Sequence, residues 1–273
     1  MQRSSGAAKV STTHLEGKTR LSRLYQEGAA KIRLPRSHDG PALNAVLINT
    51  AGGMTGGDVM RWTVEIGKGG SAVVTTQACE KVYRAMAGSA KVTVNIDIHE
   101  GAALAWLPQE TILYDRSALD RNLNVRMAPD AGLLLVEPLI LGRAAMGETV
   151  ERTHFRDRWR IRRGERLLHA EDFRLEGDVP SKLNRSTTTN GAAAFATLLF
   201  VHRDAADLVD PVRSLLGADA AASAIGSQAG MRLVVRIVAA SGFALRKQLI
   251  PVIDLCNRKL TGARQGVPKL WNT

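Results

Sequence analysis

Cysteine is nearly absent. Cys79 and Cys256 are the only two in 273 residues, far apart and without CxxC spacing, which excludes a disulfide framework or a zinc ribbon and predicts two reduced thiols. Aromatic residues make up only 4% of the chain, so few side chains could serve as base-stacking platforms. Long apolar runs are missing as well: the longest, Ala192 to Val201, is about half of what a membrane helix requires. The first residues, Met1-Gln2-Arg3-Ser4-Ser5-Gly6, lack the apolar core of a signal peptide, and the expectation is a soluble, cytoplasmic protein. There is no GxSxG elbow, no HExxH and no P-loop lysine, and the six histidines (14, 38, 99, 154, 169 and 202) stand apart, so neither an activated nucleophile nor a permanent metal cage is readable.

What is present is a globular composition, 45% hydrophobic with only nine prolines, able to bury a core. Against 26 acidic residues stand 37 Lys and Arg, and 37 − 26 gives a net charge of +11. Such a balance favours an acidic partner, protein or nucleic acid, and the shortage of aromatics weighs against the second.

Turn glycines recur at Gly40, Gly70, Gly101, Gly132 and Gly164, at intervals of 30, 31, 31 and 32 residues. Between them the text alternates, as in Met60, Trp62, Val64 and Ile66 against Arg61, Thr63 and Glu65, and in Val92, Val94, Ile96 and Ile98 against Lys91, Thr93, Asn95 and Asp97. These are half-buried strands. Stacked units with a period near 30 residues read as a β-solenoid, although a plain run of hairpins also spaces turns regularly; either way the chain is mainly β. Beyond about residue 203, two sets follow a helical period: Ala205, Leu208, Val209, Val212, Leu215 and Leu216, then Leu245, Leu249, Val252, Ile253, Cys256 and Leu260. Two C-terminal helices are expected, with Pro211 and Pro251 at a first turn or a kink. Residues 1–14 read as a flexible tail and 15–273 as a single domain.

Three segments could carry chemistry. Gly52-Gly53-Met54-Thr55-Gly56-Gly57-Asp58 places four glycines in six residues, open to positive φ and close approach; turn geometry is its first reading, a ligand or partner surface the second. Carboxylates are plentiful, among them Asp58, Glu80, Glu110, Asp115, Glu137 and Glu148, so a carboxylate-dependent glycosidase on a β-solenoid stays open at this point. Arg156, Arg158, Arg160 and Arg162 share one strand face opposite Phe155, Asp157, Trp159 and Ile161, a basic stripe that is a solvated face, a docking surface for an acidic partner or, least favoured, a nucleic-acid contact.

Several strings together resemble the urease accessory protein UreD (UreH) family. They are Gln26-Glu27-Gly28 through Lys31-Ile32-Arg33-Leu34-Pro35, the GGxxGGD of residues 52–58, Thr75-Thr76-Gln77-Ala78, Lys81-Val82-Tyr83-Arg84 and Leu107-Pro108-Gln109-Glu110-Thr111-Ile112. Glu137-Pro138, Leu141-Gly142-Arg143, Met146-Gly147-Glu148 and Pro268-Lys269-Leu270-Trp271 follow, the last with lysine where the family more usually has arginine. Each string is short, but their order and spacing cover nearly the whole chain. The resemblance implies a β-helix-like fold with two helices and a non-enzymatic chaperone role. The implied partners are urease apoprotein, UreF and, through UreF, the GTPase UreG, with no nucleic acid and no membrane. It further implies no permanently bound cofactor, with nickel in transit through an internal passage. Carried over by residue, Asp58, Glu137 and Glu148 would meet the metal along that passage and Thr75 and Thr76 would line it.

Overall fold

In the computed structural model, which describes residues 3–35, 40–143, 146–227, 230–263 and 266–272, the sequence repeat is the pitch of a parallel coil. The strands are β1 (Ser5–Leu15), β2 (Lys18–Gly28), β3 (Ala30–Arg33), β4 (Leu43–Asn49), β5 (Val59–Ile66), β6 (Ser71–Thr76), β7 (Glu80–Val82), β8 (Ala90–Ile98) and β9 (Ala103–Leu107). They continue as β10 (Thr111–Leu113), β11 (Ala118–Met127), β12 (Gly132–Leu141), β13 (Arg152–Arg163), β14 (Arg166–Asp178), β15 (Ala194–Val201), β16 (Ala220–Ile225) and β17 (Arg232–Ala239). From β4 to β13 the chain passes back and forth between two facing sheets. Sheet A has the order β14-β13-β11-β8-β5-β1-β2, and sheet B the order β16-β17-β15-β12-β9-β6-β4-β3.

The register measures the coil. Val59 pairs with Lys91 and Lys91 with Asp120, so successive turns hold 32 and 29 residues (91 − 59 and 120 − 91). The next turn, from Ala118 to His154, takes 36 (154 − 118) because the connection from β12 to β13 is longer. Gly70, Gly101 and Gly132 lie at corners between the sheets, whereas Gly164 closes the β13–β14 hairpin and Gly40 falls between the hairpin strands β3 and β4. Antiparallel hairpins end the parallel stack: β1–β2 and β13–β14 in sheet A, β3–β4 and the β15–β17–β16 meander in sheet B.

Sheet A is packed on one face only, which is why its strands alternate so clearly; Met60, Trp62, Val64 and Ile66 are buried while Arg61 is exposed. Sheet B is covered on both faces. Its outer face meets α3 (Gly242–Thr261), whose Leu245, Leu249, Val252, Ile253 and Cys256 join Leu134, Val136, Leu198 and Val235 in a second core. Consequently β12 is apolar at nearly every position. Ser241 caps α3 by accepting from the amide of Ala244 at 3.2 Å, and Gly262 ends it at φ +67°. Arg246 fastens the helix to the β9–β10 connection, donating to Glu110 at 2.6 and 2.9 Å and to Gln109 at 3.0 Å. The indole of Trp271 donates to the Leu107 carbonyl at 3.1 Å, and so the C-terminal turn is tied to the same segment.

The helical expectation holds in full for α3, with Pro251 inside it. The earlier set forms only a five-residue helix, α2 (Val209–Arg213), with Pro211 in its first turns and turns on either side. A third short helix, α1 (Val179–Leu183), follows β14 and has no apolar period long enough to announce it.

The expected tail is not a tail. β1 pairs parallel with β5 over Ser5–Ser11 and antiparallel with β2, and Ala8 and Val10 are buried in the core between the sheets. Its small and β-branched residues fit a strand that others cover, and the composition of loops and of such strands is alike. Deleting residues 1–14 should therefore abolish the cooperative thermal transition or lower its midpoint by more than 10 °C, roughly the effect of losing a few kcal/mol of burial. A dispensable tail would leave the midpoint, read by circular dichroism, unchanged.

Candidate functional site

The inner faces of the two sheets are mostly apolar, and three ionisable side chains meet between them. On β11 the inward residues are Leu119, Arg121, Leu123 and Val125; on β13 they are Phe155, Asp157, Trp159 and Ile161; on β12 they are Leu135, Glu137 and Leu139. Arg121 and Asp157 are direct register partners. The guanidinium donates from Nε to Asp157 Oδ1 at 2.9 Å and from Nη2 to Oδ2 at 2.6 Å, a two-pronged pair. Its Nη1 stands 2.5 Å from Glu137 Oε2, close as an ion pair but poorly angled as a hydrogen bond, and donates to Thr111 Oγ1 at 3.2 Å. Two indoles complete the set, Trp106 donating to Glu137 Oε1 and Trp159 to Asp157 Oδ2, each at 3.0 Å. All three ionisable side chains are at least nine-tenths buried.

One cation faces two carboxyl groups here, so the group is neutral while Glu137 holds its proton and negative once both are ionised. Burial works against the charged guanidinium, but Asp157 and Glu137 outweigh it and hold Arg121 protonated. Asp157 receives the better geometry. Desolvation dominates at Glu137, with Asp157 adding to it and Arg121 opposing, and pushes the carboxyl up to about 7.

Cavities lie on both sides of this cluster. The larger, about 570 Å³, opens between the splayed ends of the sheets, where β13 and β14 face β15 and β17. Its walls include Phe155, Phe173, Leu139 and Phe195, and its rim carries Arg236 and Glu171, an ion pair at 2.7 Å that bridges the two sheets. A smaller cavity of about 60 Å³ continues inside the coil, lined by Trp62, Thr76, Glu80, Val92 and Gln109 among others. Arg121 and Glu137 line both cavities. At the far side, Glu80 accepts from Asn49 Nδ2 at 3.1 Å, and burial pushes its carboxyl up to about 7.

Glu80 stands next to the glycine-rich segment. Asn49 Nδ2 also reaches the Gly53 carbonyl at 3.3 Å, and the Met54 amide donates to Lys81 at 2.7 Å, drawing the loop against β7. A Cβ on Gly53 would meet the Tyr83 ring at 2.4 Å and the Lys81 carbonyl at 2.8 Å, at φ +148°, so this glycine serves close approach. Asp58 is buried, and its two oxygens accept from the amides of Ser4 and Thr55, each at 2.8 Å.

The sequence-expected residues therefore fall in different places. Glu137 and Thr76 line the interior cavities, and Thr76 Oγ1 also accepts from the Gln109 amide at 2.9 Å. Thr75 belongs to the opposite face of β6, buried toward the second core with its hydroxyl unpartnered among the described residues. Glu148 lies in a surface loop, paired with Arg143 at 2.8 Å and lining a separate hollow. No group of three or more His, Cys, Asp or Glu suited to holding a metal occurs among the described residues. Arg156, Arg158, Arg160 and Arg162 do share the outer face of sheet A, but each is engaged: Arg156 with Asp172 at 2.9 Å, Arg158 with Asn122, Arg160 with the carbonyls of Trp159 and Glu171, Arg162 with that of Glu165.

Arg121, Trp106 and the inward role of Asp157 are functional features that the motif reading misses. Their signal was parity: each charge stands on the apolar side of its alternating strand. Burial pushes the Cys79 thiol up to about 11 and the Cys256 thiol up to about 12, matching idle reduced thiols. His154 pairs with Asp120 and His169 with Glu171, while His38 lies outside the described residues. No helix among the described residues is long and apolar enough to cross a membrane.

Comparison with known proteins agrees along the whole chain. Residues 4–272 match the family model described as UreD urease accessory protein. Among curated relatives, the urease accessory protein UreD of Rhizobium etli is 52% identical over 272 residues, 99% of this chain and 96% of that one. That of Mesorhizobium japonicum is 47% identical over 271 residues, covering 99% and 95%, and UreD 1 of Brucella abortus is 45% identical over the same lengths.

The buried carboxyl makes a pH test available. A Glu137 carboxyl raised in the folded state binds its proton there up to about pH 7, whereas the unfolded chain releases it near pH 4.5. Stability from this group is thus present below the unfolded value and lost as pH rises through the folded one, at no more than about 1.4 kcal/mol per pH unit. Glu137→Gln should gain stability relative to wild type as pH goes from 5 to 7 in urea titrations; parallel curves would show that Glu137 titrates normally.

Proposed function

The chain belongs to the UreD family of urease accessory proteins, and from that premise we propose that it is a nickel-insertion chaperone and scaffold. It binds urease apoprotein and UreF, recruits the GTPase UreG through UreF, and guides nickel along the interior of its own coil toward the urease active site. The observation that carries the reading is the meeting of two cavities at Arg121 and Glu137 inside the coil. The cavity walls offer oxygen: the carboxylates of Glu137, Asp157 and Glu80, the hydroxyls of Thr76 and Thr111, and the amide of Gln109. Sparse oxygen donors hold a borderline divalent cation weakly enough to release it, whereas a thiolate or imidazole cage would retain it.

Crossing between the cavities brings the cation past Glu137, where it competes with the Arg121 guanidinium for the carboxylate. Asp58 shapes the glycine loop beside Glu80 and leaves the contact with metal to Glu80. Thr75 and Glu148 act outside the passage. The role requires no turnover by the chain itself. A glycosidase would need an open gap between two carboxylates, and the gap between Glu137 and Asp157 is filled by the guanidinium.

The test is urease produced with its other accessory proteins, in the presence and absence of this chain. Without it, nickel per active site and specific activity should both fall at least tenfold and return when the chain is supplied. Equal nickel and activity in both preparations would overturn the reading.

A further inference from the structure

One edge of the coil gathers exposed residues that the interior passage does not use. Tyr83 and Tyr114 meet edge to face with ring centroids 5.1 Å apart, and the Arg143 guanidinium lies 4.3 Å from the Tyr114 centroid, held by Glu148. These four, with Arg84 and Asp115, line a surface hollow of about 440 Å³. Beside it a second hollow of about 580 Å³ is lined by Ala85, Ala87, Gly88, Arg116 and Arg152, among others. The segment 83–88 contributes to both, and the Ala85 amide donates to the Arg116 carbonyl at 2.9 Å, joining the two hollows into one surface.

Met86 and Met146 flank this surface and are 75% and 72% exposed, the highest values among the large apolar side chains described. Tyrosine, methionine and arginine are the residues enriched in protein interfaces, and solvent-facing methionine adapts its shape to a partner. The charge is equally one-sided. Lys81, Arg84 and Arg152 make no ion pair or side-chain hydrogen bond with any described residue, and Arg116 has only Asp115 at 3.5 Å. Asp115 is itself occupied, accepting the amides of Glu151 and Arg152 at 2.9 and 3.0 Å. On the outer face of β13, in contrast, Arg156, Arg158, Arg160 and Arg162 are each engaged internally.

We propose that this edge, centred on Tyr83, Arg84, Met86 and Tyr114, is the docking surface for a protein partner that presents an apolar anchor flanked by carboxylates. The hollows receive the anchor and the unpaired cations meet the acidic flank, speeding encounter and fixing orientation. Concavity favours a protruding protein segment over a flat lipid surface. The maturation reading enters only through the choice of probes.

Arg84→Glu/Met86→Asp tests the surface, because both side chains point away from the core and neither has an internal partner to lose. The full-length chain is titrated separately with purified urease apoprotein and with UreF, at low salt and at 0.3 M salt, after an unchanged thermal midpoint confirms the fold. Affinity for one of the two should fall at least tenfold, with loss of much of its salt dependence, while Arg158→Glu/Arg160→Glu binds as wild type. Undiminished binding of both probes by the Arg84/Met86 variant overturns the proposal, as does loss seen only in the Arg158/Arg160 variant. Capture of wild type, but not the variant, by phosphatidylserine vesicles with no change toward either protein would assign the edge to a membrane instead. A wild type that binds neither probe would bring down the maturation reading, a result distinct from all of these.

Discussion

A guanidinium held between two carboxyl groups, within a mostly apolar two-sheet core, is the interaction on which the rest of the structure turns. Arg121 must find Asp157 on the neighbouring strand and Glu137 across the gap, and it can do so only in one register of β11 against β13. Removing one partner of such a buried set typically costs about 3–5 kcal/mol, because a charge is left uncompensated. Trp106 and Trp159 supply further donors, so the cluster draws on side chains from five strands, β9 to β13, with Glu137 Oε2 held by its ion pair to Arg121 alone. Apolar residues cannot close tightly around it, and the sheets stand apart on either side.

The layering follows from what covers each sheet. Sheet A keeps one face in water, and there charged residues pair across strands, as Arg126 with Asp97 and Arg156 with Asp172. Sheet B lies between sheet A and α3, and the Arg246–Glu110 pair locks that third layer to the connection leading out of the small cavity. Positions at the end of β9 therefore serve two purposes. Gln109 lines the cavity, donates to Thr76 and Gln77, and also receives Arg246 from the helix.

Much of this was legible in the text, and the failures have physical causes. The strands of sheet A were readable because one wet face enforces alternation, and the period near 30 was readable because each coil needs a corner. β12 carries no alternation, since both of its faces are dry. β1 reads as a tail because Ser, Thr, Ala and Gly suit a loop as well as a covered strand. At the site, Glu137 and Thr76 were reached through the resemblance to the family. Arg121 needed only attention to parity, a charge in step with Leu119, Leu123 and Val125. Glu148 could not be separated from the passage by sequence, because what sends it to the surface is the loop after β12 and its pairing with Arg143.

Family membership and the interior geometry meet in one claim, that cargo travels through the coil past Arg121 and Glu137. Val92 is the direct neighbour of Arg121 on β8 and part of the small cavity's wall. Val92→Phe would fill that space at an overpacking cost of about 1–3 kcal/mol, leaving the outer surfaces as they are. The decisive measurement is the nickel content of urease matured by an assembly that carries this variant at wild-type stoichiometry. The account predicts nickel and activity reduced severalfold together; urease fully loaded through a filled cavity would contradict it.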